Sequence, residues 1–339
     1  MPDRSLQSRL RLTIDLDQPG LLTGDLMLRW SDNANPLGYH PIPVISIKGS
    51  AGPTVLVIGG THGDEFEGPS AIMRLARRLS PDVVSGQLIL TPALNAPAVA
   101  ASSRVSPLDD GNLNRAFPGD ADGGPTAMLA HFVETVLLPR CDAVIDLHSG
   151  GKASFFQPCV LATRTADRGL YDRNLELARA FGLPLVWVLG ANNDNRSVNS
   201  AAERAGVAMI AAELGGGGGS DPDIAEQAER GLLQCLGHLG VLDAPAAPHG
   251  EQRRIEIASP LHSLYAPADG LFDRLVRAGQ DVEEEQTAGW LHHLSEPDRP
   301  SRRLTFPHNG FVLAHTCRGM VRRGEMLALV VRDVAGGRR

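Results

Sequence analysis

His62 and Glu65 stand three residues apart in "GGTHGDEFEGP", directly after the apolar run "TVLVIG". That separation puts two side chains on one face of a helical turn, or lets a tight loop aim both at one point. Imidazole and carboxylate are good zinc ligands, but such a pair recurs by chance in many proteins and needs a third ligand. "AVIDLHSGG" offers His148 at the end of a second apolar run, where Ser-Gly-Gly takes the chain out of it. Two histidines and one glutamate make the three-protein-ligand set of a catalytic zinc centre, with the fourth position left for water.

A hydrolytic centre also needs a base. "VAMIAAELGGGGG" places Glu213 after six nearly unbroken apolar residues, so its carboxylate can work on a metal-bound water; the competing reading is a solvated charge at a strand end. "SSRVSPLDDGNLNRAFPG" carries Arg104, Asn114 and Arg115 on a stretch with neither helix nor strand period. Surface arginines are ordinary, but guanidinium groups beside such a centre can hold a carboxylate bidentately and stabilise a developing oxyanion. Asp146 alternates with His148 on one strand and so shares its face. Asp64 and Glu67 flank the first ligand pair, where either could orient it, although Glu67 also suits the positive end of a helix. His131, His292, His293 and His308 read as ordinary packing or surface histidines.

These side chains need elements to hold them. "TVLVIGG", "GQLILTPALN", "CDAVIDLHSG", "LPLVWVLG" and "VAMIAAELGG" read as strands. "SAIMRLARRL", "AMLAHFVETVLLP", "LYDRNLELARAFG" and "DIAEQAERGLLQCLGHLG" read as helices. Their alternation predicts an α/β fold, a mixed and mostly parallel sheet flanked by helices, and open sheets of that kind place ligands beyond the carboxyl ends of their strands. The expected organisation is a catalytic domain over residues 1–242, a Pro- and Ala-rich linker over 243–252, and a small β domain over 253–339 that caps the site. The glycine run from Gly215 lacks the spacing of a phosphate loop and reads as a flexible loop beside Glu213.

Composition excludes several classes. With 42% hydrophobic and 21% charged residues over 339 positions, a globular chain is expected. A net charge of -7, with no long Lys/Arg block, argues against a nucleic-acid surface. The first twenty residues carry charges where a secretory signal needs an apolar core, and no stretch reaches the roughly 18 apolar residues of a membrane span, so a soluble cytoplasmic protein is expected. Cys141, Cys159, Cys235 and Cys317 show no CxxC pairing and read as reduced thiols.

Taken in order, His62 and Glu65, Arg104, Asn114-Arg115, His148 and Glu213, followed by a β region, resemble the aspartoacylase/succinylglutamate desuccinylase family of the zinc carboxypeptidase superfamily over nearly the whole chain. The resemblance implies zinc, one ion per chain, held by His62, Glu65 and His148, with Glu213 as general base and acid. It implies further that Arg104 polarises the scissile carbonyl and that Asn114 and Arg115 grip the amino acid's carboxylate. "GGTHGDEFEGP", "NLNRAFPG", "DLHSGGK" and "ELGGGG" look closest to the branch found in ectoine breakdown, the N-acetyl-L-2,4-diaminobutyrate deacetylases. One departure stands out: Asn112 occupies the position where many superfamily members carry an acidic residue that orients a zinc histidine, and an amide cannot raise ligand basicity as a carboxylate would.

The expected function is zinc-dependent hydrolysis of a short acyl group, acetyl above all, from the amino nitrogen of a small amino acid. The expected partner is that small molecule alone, with a homo-oligomer left open. The alternatives are a desuccinylase or aspartoacylase-type deacylase, a zinc carboxypeptidase and, outside enzymes, a zinc-holding binding protein. A diaminobutyrate substrate would bring a cationic amine. The polar stretch "GANNDNRSVNSAAE" follows the strand "LPLVWVLG" and is expected at the same sheet edge as the zinc, which makes Asp194 the candidate ammonium partner.

Overall fold

The computed structural model describes residues 8–190, 193–243 and 250–334; the linker expected over 243–252 falls mostly outside them. The chain opens with β1 (Arg11–Leu12), β2 (Gly20–Leu28) and β3 (His40–Lys48), which pair antiparallel in sequence order. The catalytic elements then follow as β4 (Ser50–Gly59), α1 (Glu67–Arg78), β5 (Ser85–Thr91), α2 (Ala96–Ala100), α3 (Pro125–Phe132) and β6 (Ala143–His148). Next come β7 (Ser154–Phe156), β8 (Cys159–Thr163), α4 (Arg168–Phe181), β9 (Leu185–Leu189), α5 (Val198–Ala205), β10 (Ala208–Glu213) and α6 (Pro222–His238). Apart from one helical turn (Pro260–His262), the regular elements of the carboxyl-terminal part are strands: β11 (Arg253–Glu256), β12 (Leu264–Tyr265), β13 (Gly270–Arg274), β14 (Asp281–Val282), β15 (Thr287–His292), β16 (Arg302–Thr305), β17 (Gly310–Thr316), β18 (Met320–Val321) and β19 (Met326–Asp333).

The main sheet runs β1-β2-β3-β5-β4-β6-β10-β8-β9-β11-β19-β17-β14, with β12 on β19 and β7 on β17. Its centre, β5-β4-β6-β10, is parallel. β8 then enters antiparallel to β10, and β9 and β11 run parallel to β8. The first strand after the linker thus joins the main sheet, while β16-β15-β13-β18 form a separate smaller sheet.

Alternation sorts the side chains. In β6, Ala143, Ile145 and Leu147 pack with Ile72 and Leu75 of α1, Phe181 of α4 and Leu232 of α6 on one face. Val144 packs on the other face with Met128, Leu129 and Phe132 of α3 and Ala201 and Ala202 of α5. Further along that second face, Cys159, Leu161, Leu185 and Ala211 meet Phe311, Leu313, Leu329 and Val331. Burying each large aliphatic side chain stabilises the fold by roughly 1.5 to 3 kcal/mol, so the two helical layers clamp the sheet firmly. Asp146 and His148, two and four residues beyond Val144, project from the second face between its two apolar clusters.

Two expectations change. Residues within the expected polar loop 190–203 form α5, because Ser197 caps it through Ser200 N and Val198, Ala201 and Ala202 are fully buried against the sheet. The loop after β9 also leaves the sheet at the end opposite His148 and Glu213, since β9 runs antiparallel to β6 and β10. Among the described residues no helix is long and apolar enough to cross a membrane. All four cysteines are free thiols.

Candidate metal centre and substrate cleft

His62 leaves the sheet just past β4, Glu65 precedes α1, and His148 ends β6, the parallel neighbour of β4. The Glu65 carboxylate bridges the two rings: Oε1 lies 2.8 Å from His62 Nδ1 and Oε2 lies 2.9 Å from His148 Nδ1. The far nitrogens are also engaged. His148 Nε2 faces Asp146 Oδ2 at 2.8 Å, and His62 Nε2 faces Asn112 Oδ1 at 3.2 Å. Asp146 is in turn fixed by Thr61 Oγ1, which donates to its Oδ1 at 3.1 Å. Acceptors on Nε2 hold each ring in the tautomer that leaves Nδ1 as a ligand.

Ligand atoms of His62, Glu65 and His148 all lie within 4.8 Å of one another, and all three residues are buried, so the group could hold a metal ion. Its electrostatics fit that use. Burial opposes ionisation of Glu65, but the neighbouring imidazoles outweigh it and hold the carboxyl below the usual range. Burial likewise disfavours the His148 cation, yet Asp146 and Glu65 raise its proton affinity well above normal. Negative charge gathered on Glu65 and Asp146 around the two rings favours a cation in place of those protons, and the donor set of two imidazoles and a carboxylate is that of zinc-type centres.

The group opens into a cleft of about 490 Å³ that Arg104, Asn114, Arg115, Asp194 and Glu213 also line. Glu213, beside His148 in register, keeps Oε2 out of solvent with no hydrogen-bond partner among the described residues. Burial is the main cause that pushes its carboxyl up to about 8, a value suited to exchanging a proton near neutrality. The turn after it is held by backbone bonds rather than left loose: Gly215 O accepts from Gly150 N at 3.0 Å and from Phe156 N at 2.8 Å.

Arg104 reaches Glu65 Oε1 at 3.3 Å from a loop that Gly63 N and Lys152 Nζ tie down through the carbonyls of Ser103 and Ser102. Asn112 caps the single turn Leu113–Arg115 by accepting from Asn114 N at 3.0 Å. Asn114 Oδ1 accepts from Val198 N at 3.0 Å, which leaves its amide Nδ2 3.5 Å from His148 Nε2.

Asp194, the candidate ammonium partner, enters the cleft with its charge already engaged. It lines the cleft, but its carboxylate is already matched by Arg196 Nη2 at 2.9 Å and Arg115 Nε at 3.0 Å. Hydrogen bonds from Arg196, with Arg115 adding to them, draw it down to about 2. Nor does it arrive over the expected sheet edge. The cleft extends across the sheet face, over Ala211, Leu161 and Trp187, which are register partners on β10, β8 and β9. The β8 part of that floor was not legible in the sequence, because a short buried strand such as "CVLAT" has no period that tells it from a loop, whereas β9 is the run "LPLVWVLG". Asp146 was legible through its alternation with His148.

Sheet, clustered ligands and adjoining carboxylate together define an α/β protein able to hold one cation at the head of a substrate cleft. Residues 51–239 match the succinylglutamate desuccinylase/aspartoacylase catalytic domain, and the chain belongs to that family. It is 33% identical over 335 residues, 98% of each chain, to the N-alpha-acetyl-L-2,4-diaminobutyric acid deacetylase of Halomonas elongata. Among solved structures it is 33% identical to the product-bound ectoine utilization protein EutE (DoeB) of Ruegeria pomeroyi, with a TM-score of 0.92 over 96% of this chain and 99% of that one. A succinylglutamate desuccinylase/aspartoacylase of Rhodobacter sphaeroides is 35% identical, with a TM-score of 0.89 over 96% of this chain and 100% of the other.

Proposed function

We propose that this chain is a zinc-dependent amidohydrolase that removes the acetyl group from the α-nitrogen of N-acetyl-L-2,4-diaminobutyrate in ectoine utilisation. The observation that carries the reading is the His62-Glu65-His148 group with the partnerless Glu213 oxygen in the same cleft. Zinc bound by those three residues would supply Lewis acidity to the carbonyl and to the attacking water. Glu213 takes a proton from that water as its oxygen bonds to the acetyl carbon. The C–N bond then breaks, and Glu213 returns the proton to the leaving nitrogen, giving acetate and the free amino acid. Arg104 faces the charge that develops on the carbonyl oxygen, and Asn114 and Arg115 receive the α-carboxylate.

The deacetylase name of the Halomonas relative supports this choice of substrate within the family. The cleft's charges support it too: Arg104 and Arg115 are the guanidinium groups that line it among the described residues, and both have roles, so a second substrate carboxylate lacks an evident partner. The test is a panel of N-acetyl, N-succinyl and N-formyl amino acids with basic or acidic side chains, run on wild type and Glu213→Gln. Acetyl-diaminobutyrate should be the best substrate. Glu213→Gln should keep about one zinc per chain while kcat falls by about 10² or more. Faster hydrolysis of acetyl-aspartate would overturn the substrate, and near-normal turnover without Glu213 would overturn the base.

A further inference from the structure

We propose that Asp194 is a positioning residue that fixes the Arg115 guanidinium in the orientation that receives the substrate's α-carboxylate. This rests on the role given to Arg115 above. Two contacts hold the guanidinium: Nε forms an ion pair with Asp194 Oδ2 at 3.0 Å, and Nη1 donates to Asn114 O at 2.7 Å. Removing either frees rotation of a long side chain that is 42% exposed. Asp194 is itself held from several directions. Its Oδ1 accepts from Arg196 N at 2.9 Å and from Arg196 Nε at 3.0 Å, and its carbonyl accepts from Ser197 N at 3.1 Å and Ser200 Oγ at 2.9 Å.

Ser197 is the N-cap of α5, and Val198 N, the first amide of that helix, is the donor that orients Asn114. The amino-terminal turn of α5 therefore sets both groups assigned to the α-carboxylate: Asn114 directly, and Arg115 through Asp194. Because Val198, Ala201 and Ala202 are fully buried, the turn cannot drift along the sheet. A pre-oriented planar group loses less freedom when it makes a bidentate contact, so the benefit of Asp194 is realised on binding rather than in the chemical step.

The experiment compares two ligands of the zinc-loaded, full-length protein: N-acetyl-L-2,4-diaminobutyrate, and N-acetyl-1,3-diaminopropane, which lacks only the carboxylate. The second is read as KM or, where it is not turned over, as a competitive inhibition constant. Asp194→Asn should raise KM for the first about tenfold, with kcat within about twofold, and leave the second unchanged. Asp194→Glu should recover most of the loss, and it keeps the test open if Asp194→Asn folds poorly. In an Arg115→Lys background, which has no Nε, Asp194→Asn should add nothing further. An equal rise for both ligands, an unchanged KM, or a full additional loss in the Arg115→Lys background would overturn the proposal. A wild type that cleaves no N-acetyl amino acid would instead overturn the functional reading beneath it.

Discussion

The two candidate ligand imidazoles are supported unequally. His148 Nε2 faces the buried carboxylate of Asp146, whereas His62 Nε2 faces only the amide oxygen of Asn112. A carboxylate in that place raises the basicity of a metal-bound imidazole, and losing such a partner typically costs 10- to 100-fold in affinity. Asn112→Asp should therefore retain zinc about tenfold more tightly in competition with a chelator. It should do so without unsettling the loop, since a carboxylate can accept from Asn114 N as the amide does. Unchanged retention would reduce Asn112 to a cap. Residues of this kind are the most legible in sequence, because His62, Glu65, His148 and Glu213 follow apolar runs that fix where the chain must leave the sheet. The partners of those runs are less so: nothing along the chain says that Asn114 is oriented by Val198, a contact 84 residues away.

Among the elements, the turn after β10 sets the position of Glu213. Gly215 and Gly216 have φ of 73° and 135°, and a Cβ on Gly216 would fall 2.2 Å from the carbonyl oxygen of Ser154. Both the dihedral and the close approach demand glycine. Gly216→Ala should lower stability by about 2 kcal/mol or more and depress kcat, while metal content stays the same. Thermal unfolding, zinc analysis and turnover on one preparation check all three; an unchanged melting temperature would mean the turn yields at no cost. The glycine run was readable as a loop beside Glu213, but not its bracing against β7, which depends on chain some 60 residues earlier. The central strands β4, β5, β6 and β10 were legible because burial on both faces leaves continuous apolar sequence, whereas the nine-residue β2 and β3, broken by Gly, Asp and Pro, were not read. α5 was hidden by its polar residues, since the face it buries carries Asn199 and Ser200 beside Val198, Ala201 and Ala202.

Across the whole molecule, the carboxyl-terminal part reaches the cleft directly at Ile257, just past β11, and through β7, which pairs with β17 and contributes Phe156 to the lining. At that junction His315 stacks on Phe155 with ring centroids 5.6 Å apart and accepts from Ala278 N at 2.9 Å. Burial lowers its pKa to about 4, with Arg274 and Arg277 adding to the shift. The unfolded chain, with an ordinary histidine near 6.5, binds this proton first, so stability falls as pH drops from about 6.5 to about 4. His315→Asn, which keeps an acceptor for Ala278 but cannot take up a proton, should flatten the decline of melting temperature over that window; an identical slope would place the acid sensitivity elsewhere. That strand direction reverses between β10 and β8 was beyond the sequence, because apolar runs carry no arrow. The reversal has a consequence for divergence. The candidate metal ligands hang from one end of the sheet and the segment bearing Asp194 returns from the other, so exchanges within residues 193–197 leave the strands that anchor His62, Glu65, His148 and Glu213 untouched. The grip on the substrate's α-carboxylate can thus be retuned through Asp194 and the start of α5 while the metal centre keeps the strands that carry it.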